Sequence, residues 1–227
     1  MKTKTFYTEL AYVFGVLGLA LGAASMEKAG FGLSMVIAPA YLIYLKLSQV
    51  WSFVTFGMAE YTLQACLIVA VAIILRKFRV SYLFSFCTAV LYGLSLDACM
   101  ALISPIDSTI LAWRIVLYVG GMFLCAFGVA MFFHTYITPG AYELFVKRIS
   151  EKMNIDINRF KIAYDSVSCA VGILLSFLFF GLFHFEGISW GTVVCALVNG
   201  RLIGLISKWM EKRYTFTDKF AIRQYFE

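Results

Sequence analysis

Residues 51–75 read WSFVTFGMAEYTLQACLIVAVAIIL, and Glu60 is the only charged residue in this run. A helix that crosses the hydrocarbon core of a membrane needs about 20 mostly apolar residues, because each residue adds about 1.5 Å to its length. The run therefore predicts a transmembrane helix that carries one carboxylate. Five further stretches meet the same condition, namely 6–25, 80–103, 109–133, 161–183 and 188–210.

The composition of the whole chain fits six such helices and excludes a soluble protein. Of its 227 residues, 62% are hydrophobic and 14% are charged, whereas charged residues make up about 25% of an average soluble domain. So few polar side chains cannot cover the surface of a soluble core. The composition equally excludes a disordered chain and a small secreted domain held by disulfides. It predicts an all-α polytopic membrane protein.

Lysine and arginine predict the orientation, because they concentrate in cytoplasmic loops. With both termini in the cytoplasm and six crossings of the cell membrane, the outer loops hold only Lys28 and Lys46. Two shorter apolar stretches, 32–47 and 139–149, then do not cross. If 32–47 alone crossed, the basic residues at 76–79 would face outward. We expect the two short stretches to be re-entrant half-helices or helices at the membrane interface.

The two halves of the chain resemble each other in an ordered series. Matching residues recur at a nearly constant spacing: Tyr12 and Tyr118, Gly15 and Gly121, Gly22 and Gly128, Tyr41 and Tyr142, Glu60 and Asp165, Gly93 and Gly200. Each half holds three long stretches, and this odd number of crossings inverts the second half relative to the first. The sequence thus predicts a 3+3 inverted repeat, with residues 1–108 and 109–210 as the repeats and 211–227 as a cytoplasmic tail. Such repeats with short helices recur in secondary transporters.

The end of the second half resembles a known family. Residues 186–203 read EGISWGTVVCALVNGRLI, which is similar to the closing GxGT…AL…G-P-x-I signature of the YczE/YyaS/YitT-like membrane proteins. The Gly-Phe-Gly at 30–32 resembles that family's first-half turn, and Pro139 its second. Arg201 stands where the family pattern has proline. The resemblance covers most of the chain, and it implies an integral membrane fold and a transport function without indicating a substrate.

Ionisable side chains inside the predicted helices are functional candidates, because they are costly in a bilayer. Opposite charges that face each other reduce this cost, so we expect Asp165 to pair with Arg201 in the inner half of the membrane. In the outer half, Arg114 is expected to pair with Glu60 or Asp97. The carboxylate left over is a predicted proton-binding site, with Glu60 preferred because its repeat mate is also acidic. The alternative is that these charges form structural ion pairs.

Polar neighbours extend this candidate site. Gln64 lies one helical turn from Glu60, and Asn199 lies close to Arg201 in the sequence. The predicted substrate or ion site therefore comprises Glu60, Gln64, Asp97, Arg114, Asp165, Asn199 and Arg201. If the two short stretches are half-helices, their N-termini present free N–H groups and positive dipole ends. Together with the two arginines, these ends would receive an anionic solute.

These features predict a secondary transporter of a small solute, anionic and proton-coupled. One alternative is the substrate-binding membrane subunit of an energy-coupling-factor-type importer, whose small-residue first helix docks an ATPase partner. A membrane scaffold or regulator and a channel are further alternatives, and a homodimer also stays open. The six cysteines lack metal-ligand spacing, and no Walker A, HExxH or nucleotide motif occurs. We therefore expect no enzyme, metal, cofactor or nucleic-acid partner.

Overall fold

Six long helices and two short ones account for most of the chain that the computed structural model describes, which is residues 4–78, 80–137, 140–155, 157–181 and 189–219. The long helices are α1 Thr8–Ala29, α3 Phe56–Leu75, α4 Val80–Ile103, α5 Leu111–Phe132, α7 Ile157–Phe180 and α8 Trp190–Arg213; the short ones are α2 Ala38–Ser48 and α6 Ala141–Met153. All six long helices are long and apolar enough to cross a membrane. The protein is an all-α polytopic membrane protein, as predicted.

Two short strands join the ends of the described chain. β1 Lys4–Tyr7 pairs in parallel with β2 Tyr214–Thr217, and Phe6 lies opposite Phe216. The sequence predicts no strand here, because its apolar pattern continues from residue 6 into the first helix without a turn signal. The pairing places the start of α1 and the end of α8 at one end of the bundle, which we call the terminal end.

Glycines allow α1 and α5 to cross at close range in the core. A Cβ on Gly22 would lie 2.7 Å from the backbone oxygen of Gly121, and a Cβ on Gly128 would lie 2.8 Å from that of Gly15. Small residues let membrane helices approach in this way. The glycine face of the first helix is therefore buried inside the protein, where it packs against α5.

The other helices pack around this crossing in two similar groups. α1 packs against α4 and α5 against α8, while α6 lies along α3 and α2 lies along α7. α3 and α4 approach so closely that a Cβ on Gly57 would fall 2.1 Å from the backbone oxygen of Gly93. By contrast, the described residues of α7 and α8 do not form a packed pair. Gly200 on α8 accordingly has open space beside it.

The short helix α6 begins beside the middle of α3. The Ala141 N–H donates to Oε1 of Gln64 at 3.1 Å, and near the other end Lys152 donates to the Ile74 carbonyl. Gln64 is eight residues into α3, which corresponds to about 12 Å along the helix. α6 thus starts beside the middle of α3 and ends level with its end, so it runs along about half the length of α3.

The other short helix, α2, follows a turn built on glycine. Gly30 and Gly32 have φ angles of +67° and +104°, which non-glycine residues rarely adopt. Pro39 lies in the first turn of α2, where its missing N–H costs no hydrogen bond. Tyr41 then donates to Oε1 of Glu27 at 3.2 Å, which fixes α2 against the end of α1. Pro139, the corresponding proline before α6, lies outside the described residues.

Candidate functional site

Glu60 lies in the second turn of α3 and is fully buried, with 0% of its surface exposed. Its Oε1 accepts hydrogen bonds from the Tyr142 hydroxyl at 2.8 Å and from Nε2 of Gln64 at 3.2 Å. Its Oε2 has no hydrogen-bond partner among the described residues. A buried carboxylate with one unpaired oxygen and no cation beside it is costly, so its position calls for a functional explanation.

Gln64 connects Glu60 to the start of α6. Its side chain is 2% exposed, and its amide donates to Glu60 while its oxygen accepts from the Ala141 N–H. The first N–H groups of a helix have no partner within the helix and carry a partial positive charge. The predicted proximity of Gln64 and Glu60 is confirmed. The N-terminus of α6, which the sequence predicts as part of a ligand site, is bonded to Gln64.

Two further side chains complete the surroundings of Glu60. Tyr92 on α4 is 7% exposed, and its hydroxyl has no hydrogen-bond partner among the described residues. Glu143, next to Tyr142 on α6, is half-buried. Oε2 of Glu143 and Oε1 of Gln64 lie 3.3 and 3.4 Å from the point that a Cβ on Gly140 would occupy. We call the set of Glu60, Gln64, Tyr92, Tyr142 and Glu143 the buried acidic cluster.

The sequence identifies only two of these five residues as site residues. Tyr142 appears in it as the repeat mate of Tyr41 and carries no functional signal of its own. Nothing in the order of residues shows that the stretch after α5 turns back to reach α3. The sequence gives one indication for Glu143, namely that it directly follows Tyr142 at the start of a short amphipathic stretch.

Asp97 lies at the N-terminus of α3 and not beside Arg114, and its predicted role as a proton site stays a prediction. Its two carboxylate oxygens accept from the Thr55 hydroxyl at 2.6 Å and from the Gly57 N–H at 2.7 Å. Thr55 is the N-cap of α3 and also accepts from the Met58 N–H at 3.1 Å. The carboxylate therefore completes the N-terminal cap of α3, where negative charge is favourable.

Arg114 pairs with neither Glu60 nor Asp97, so the predicted outer ion pair is wrong. Its Nε donates to the Ala29 carbonyl at 2.7 Å, and its guanidinium carbon lies 4.6 Å from the centre of the Phe31 ring. The side chain thus closes the C-terminus of α1, whose last carbonyls have no partner within the helix. Two of the guanidinium nitrogens of Arg114 are used in this way, and its predicted contact with an anionic solute stays a prediction.

The predicted inner ion pair is also wrong, because α7 and α8 pack against different helices. Oδ2 of Asp165 lies 3.9 Å from Nζ of Lys161, one turn away on α7. Arg201 is exposed and forms no ion pair with the described residues. Asn199 is half-buried, and its Oδ1 has no partner among them. Residues two apart on a helix do not face each other, so Asn199 does not join Arg201 in a site.

A polar cleft of about 270 Å³ opens at the terminal end of the bundle. Its lining consists of Thr8, Phe133, His134, Thr135, Tyr136, Phe216 and Asp218. His134 stacks on Phe216 with 4.2 Å between ring centres and bonds to the Ser207 hydroxyl at 3.0 Å. Burial lowers the pKa of His134 from its ordinary value, although Glu211 acts in the opposite direction. These contacts fasten β2 to the helices.

The described residues contain no group of three histidine, cysteine, aspartate or glutamate side chains that is able to hold a metal ion. The six cysteines are all free thiols. His184, the second histidine, lies outside the described residues. The buried acidic cluster, which joins residues of α3, α4 and α6, contains the fully buried carboxylate of Glu60.

The six spans and the carboxylate buried at the start of a half-helix define a multi-pass membrane protein with an acidic site inside the bundle. Residues 6–208 match a family of unknown function, DUF6198, and the chain belongs to that family. No curated protein and no solved structure matches the chain. The family match does not extend to the YczE/YyaS/YitT-like proteins, and residues 186–188 of the segment that resembles them lie outside the described residues.

Proposed function

We propose that this protein is a secondary transporter that couples the movement of a small solute to a proton bound at Glu60. The observation that carries the proposal is that Oε2 of this fully buried carboxylate, beside the start of α6, has no hydrogen-bond partner among the described residues. Ionisable residues inside a membrane bundle mark ion and proton pathways. A proton on Oε2 removes the cost of the buried charge, so occupancy of this site can bias the bundle between two states.

The arrangement of helices supports transport by alternating access. α6 lies along α3 as α2 lies along α7, and α1 meets α4 as α5 meets α8. These equivalences follow the series of matching residues in the two halves, so we propose an inverted repeat with residues 1–108 and 109–210 as its units. Two such units expose one central site to either side by similar motions. The similarity to YczE/YyaS/YitT-like proteins is part of this proposal.

The prediction of an anionic solute has less structural support than the prediction of proton coupling. Arg114 is engaged with the end of α1, and Arg201 is exposed on α8. An anionic charge on the solute therefore rests on the positive N-termini of the two short helices, and that of α6 is already bonded to Gln64. We propose proton coupling as the defining property and leave the solute to be found by screening. The distribution of lysine and arginine also makes the terminal end the cytoplasmic one in this proposal.

The importer-subunit alternative receives less support. It requires the small-residue face of α1 to dock a partner, but that face is packed against α5. An ATPase that purifies with the full chain in stoichiometric amount would reverse this preference. A scaffold or regulator would tolerate changes at Glu60, so the same variant separates it from a transporter.

The test is a thermal-shift screen of the purified protein against a metabolite library, at several pH values. A ligand that binds the folded state raises its apparent stability by mass action. We expect a hit whose shift disappears in Glu60→Gln. The matched control is Glu27→Gln, since Glu27 also accepts from a tyrosine at a short helix, Tyr41. A hit that both variants keep unchanged would contradict the proposal.

A further inference from the structure

We propose that Tyr142 and Gln64 fasten the start of α6 to the Glu60 carboxylate, so that a proton on Glu60 releases this end of the short helix from α3. The inference rests on the proposed function, and it names the element that the proton moves. Three features of the site support it: the hydrogen bonds that meet at Glu60, the charge of their acceptor, and the separate attachment of the rest of α6.

The first feature is that two lines of hydrogen bonds connect the start of α6 to one oxygen of Glu60. The Tyr142 hydroxyl donates directly to Oε1 of Glu60 at 2.8 Å. The Ala141 N–H donates to Oε1 of Gln64 at 3.1 Å, and Nε2 of Gln64 donates to the same Oε1 of Glu60 at 3.2 Å. Glu60 is therefore the common acceptor through which α6 is joined to α3.

The second feature is the charge of that acceptor. Hydrogen bonds to an ionised group are roughly twice as strong as those between neutral groups, and Glu60 is fully buried, where water does not weaken them. Oε2 of Glu60 has no partner among the described residues. When a hydronium ion of the solvent gives its proton to Oε2, an O–H bond forms, water is left, and the carboxylate charge changes from −1 to zero. Both bonds at Oε1 then become neutral and weaker.

The third feature is that the rest of α6 is attached independently of Glu60. At the far end of the helix Lys152 donates to the Ile74 carbonyl. Closer to the start, Leu144 packs with Ile68 and Val71 of α3 in an apolar cluster. These contacts do not depend on the charge of Glu60. Loss of the polar bonds therefore loosens the start of α6 while the helix stays attached at its other end.

The other titratable groups around this site do not join α6 to α3. Tyr92 on α4, Tyr164 on α7 and Glu143 on α6 interact electrostatically with Glu60. Tyrosine hydroxyls have an ordinary pKa of about 10 and stay neutral in acid. Glu143 belongs to α6 itself, and its Oε2 lies beside Gly140 at the start of that helix. Of these groups, Glu60 is the carboxyl group that holds α6 to another helix.

Spin labels on the full chain in lipid nanodiscs measure the position of α6 without a substrate. One label is attached at Lys147→Cys, exposed on α6, and the other at Val119→Cys, exposed on α5, in a chain whose native cysteines are replaced. At pH 9 we expect one distance between the labels, which defines docked α6. As the pH falls to 5, a second distance should appear, which defines released α6, because the protonated acceptor binds its two donors less strongly.

Two variants test whether Glu60 and Tyr142 cause this change. Glu60→Gln keeps the size of the side chain without its charge. It should raise the ratio of released to docked α6 at pH 9 about tenfold, the scale of one charged hydrogen bond made neutral, and remove the pH dependence. Tyr142→Phe, which removes one of the two donors, should raise the ratio in the same direction.

Two matched controls should leave the wild-type response unchanged. Tyr41→Phe removes the tyrosine hydroxyl of the other short helix, α2, which donates to Glu27. Glu143→Gln removes the neighbouring carboxyl group of α6.

The outcomes separate this inference from the proposed function. Distances that stay the same in Glu60→Gln and Tyr142→Phe, or in the wild type from pH 9 to pH 5, would overturn the release of α6. A metabolite hit that depends on Glu60 would then leave the proposed function standing. Release of α6 in both variants without any such hit would overturn the proposed function alone.

Discussion

At the start of α3, Asp97 accepts from the Gly57 N–H and from the Thr55 hydroxyl. Asp97→Ala leaves that N–H without its acceptor inside the bundle, so we expect the free energy of unfolding to fall by about 1–3 kcal/mol. Thermal unfolding in detergent measures the loss. Asp107→Ala is the control, because Asp107 lies in an exposed turn. Equal losses in the two variants would contradict the capping role of Asp97.

His134 predicts a pH dependence of stability. Burial lowers its pKa in the folded protein below the ordinary value of 6.5, so the unfolded chain binds this proton more readily. The stability that neutral His134 contributes is therefore fully present above pH 6.5. It is lost as the pH falls through the pKa that His134 has in the folded protein, which is lower. His134→Phe keeps a ring to stack on Phe216 but does not titrate.

The melting temperature between pH 8 and pH 5 should thus fall more steeply in the wild type than in His134→Phe. Parallel curves for the wild type and His134→Phe would show that the pKa of His134 does not differ between the folded and unfolded chain.

The crossing of α1 and α5 depends on the absence of side chains at its glycines. In Gly22→Ala the new methyl group would meet the Gly121 oxygen and the Cys125 N–H, both at 2.7 Å. Backbone atoms cannot rotate away, so the two helices must separate. Overpacking of this kind costs about 1–3 kcal/mol, and Gly120→Ala on the lipid-facing side of α5 should cost much less. Thermal unfolding of both variants in detergent measures the difference.

The two half-helices predict opposite accessibility of their C-terminal ends. α6 ends level with the end of α3, near the terminal end, while α2 is fixed beside the opposite end of α1 through Tyr41 and Glu27. Single cysteines at Ser48 and Asn154, in a chain whose native cysteines are replaced, should therefore react with impermeant reagents from opposite sides of a membrane. Labelling of both from one side would refute the inverted arrangement.

At the scale of the whole molecule, hydropathy predicts the six spans and the two short helices, because the length and apolar character of a span are local properties. The position of α6 along α3, by contrast, is not determined by residues that are close in sequence. It depends on the bond between the Ala141 N–H and Gln64, whose partners are 77 residues apart. The same reason explains why Glu60 could be identified as a buried carboxylate while its partner Tyr142 could not.

The predicted ion pairs failed for a related reason. Charge and depth suggest that Asp165 and Arg201 should meet, but which helices touch is decided by apolar and glycine contacts. α8 packs against α5, and α7 packs against α2 and α6. Arg114 likewise donates to a backbone carbonyl at the end of α1. Helix ends supply strong acceptors, and a sequence read for charge pairs alone overlooks them.

The parallel pairing of β1 and β2 also has a consequence for biosynthesis. Lys4 leaves the ribosome early, and its partner Tyr214 is made only after all six spans. Residues 4–7 therefore have no partner strand while the six helices are made, and unpaired backbone groups of this kind are able to pair with another chain. The last strand to be synthesised then covers the first. A chain that ends before Tyr214 lacks β2, so the backbone groups of residues 4–7 do not gain this partner strand.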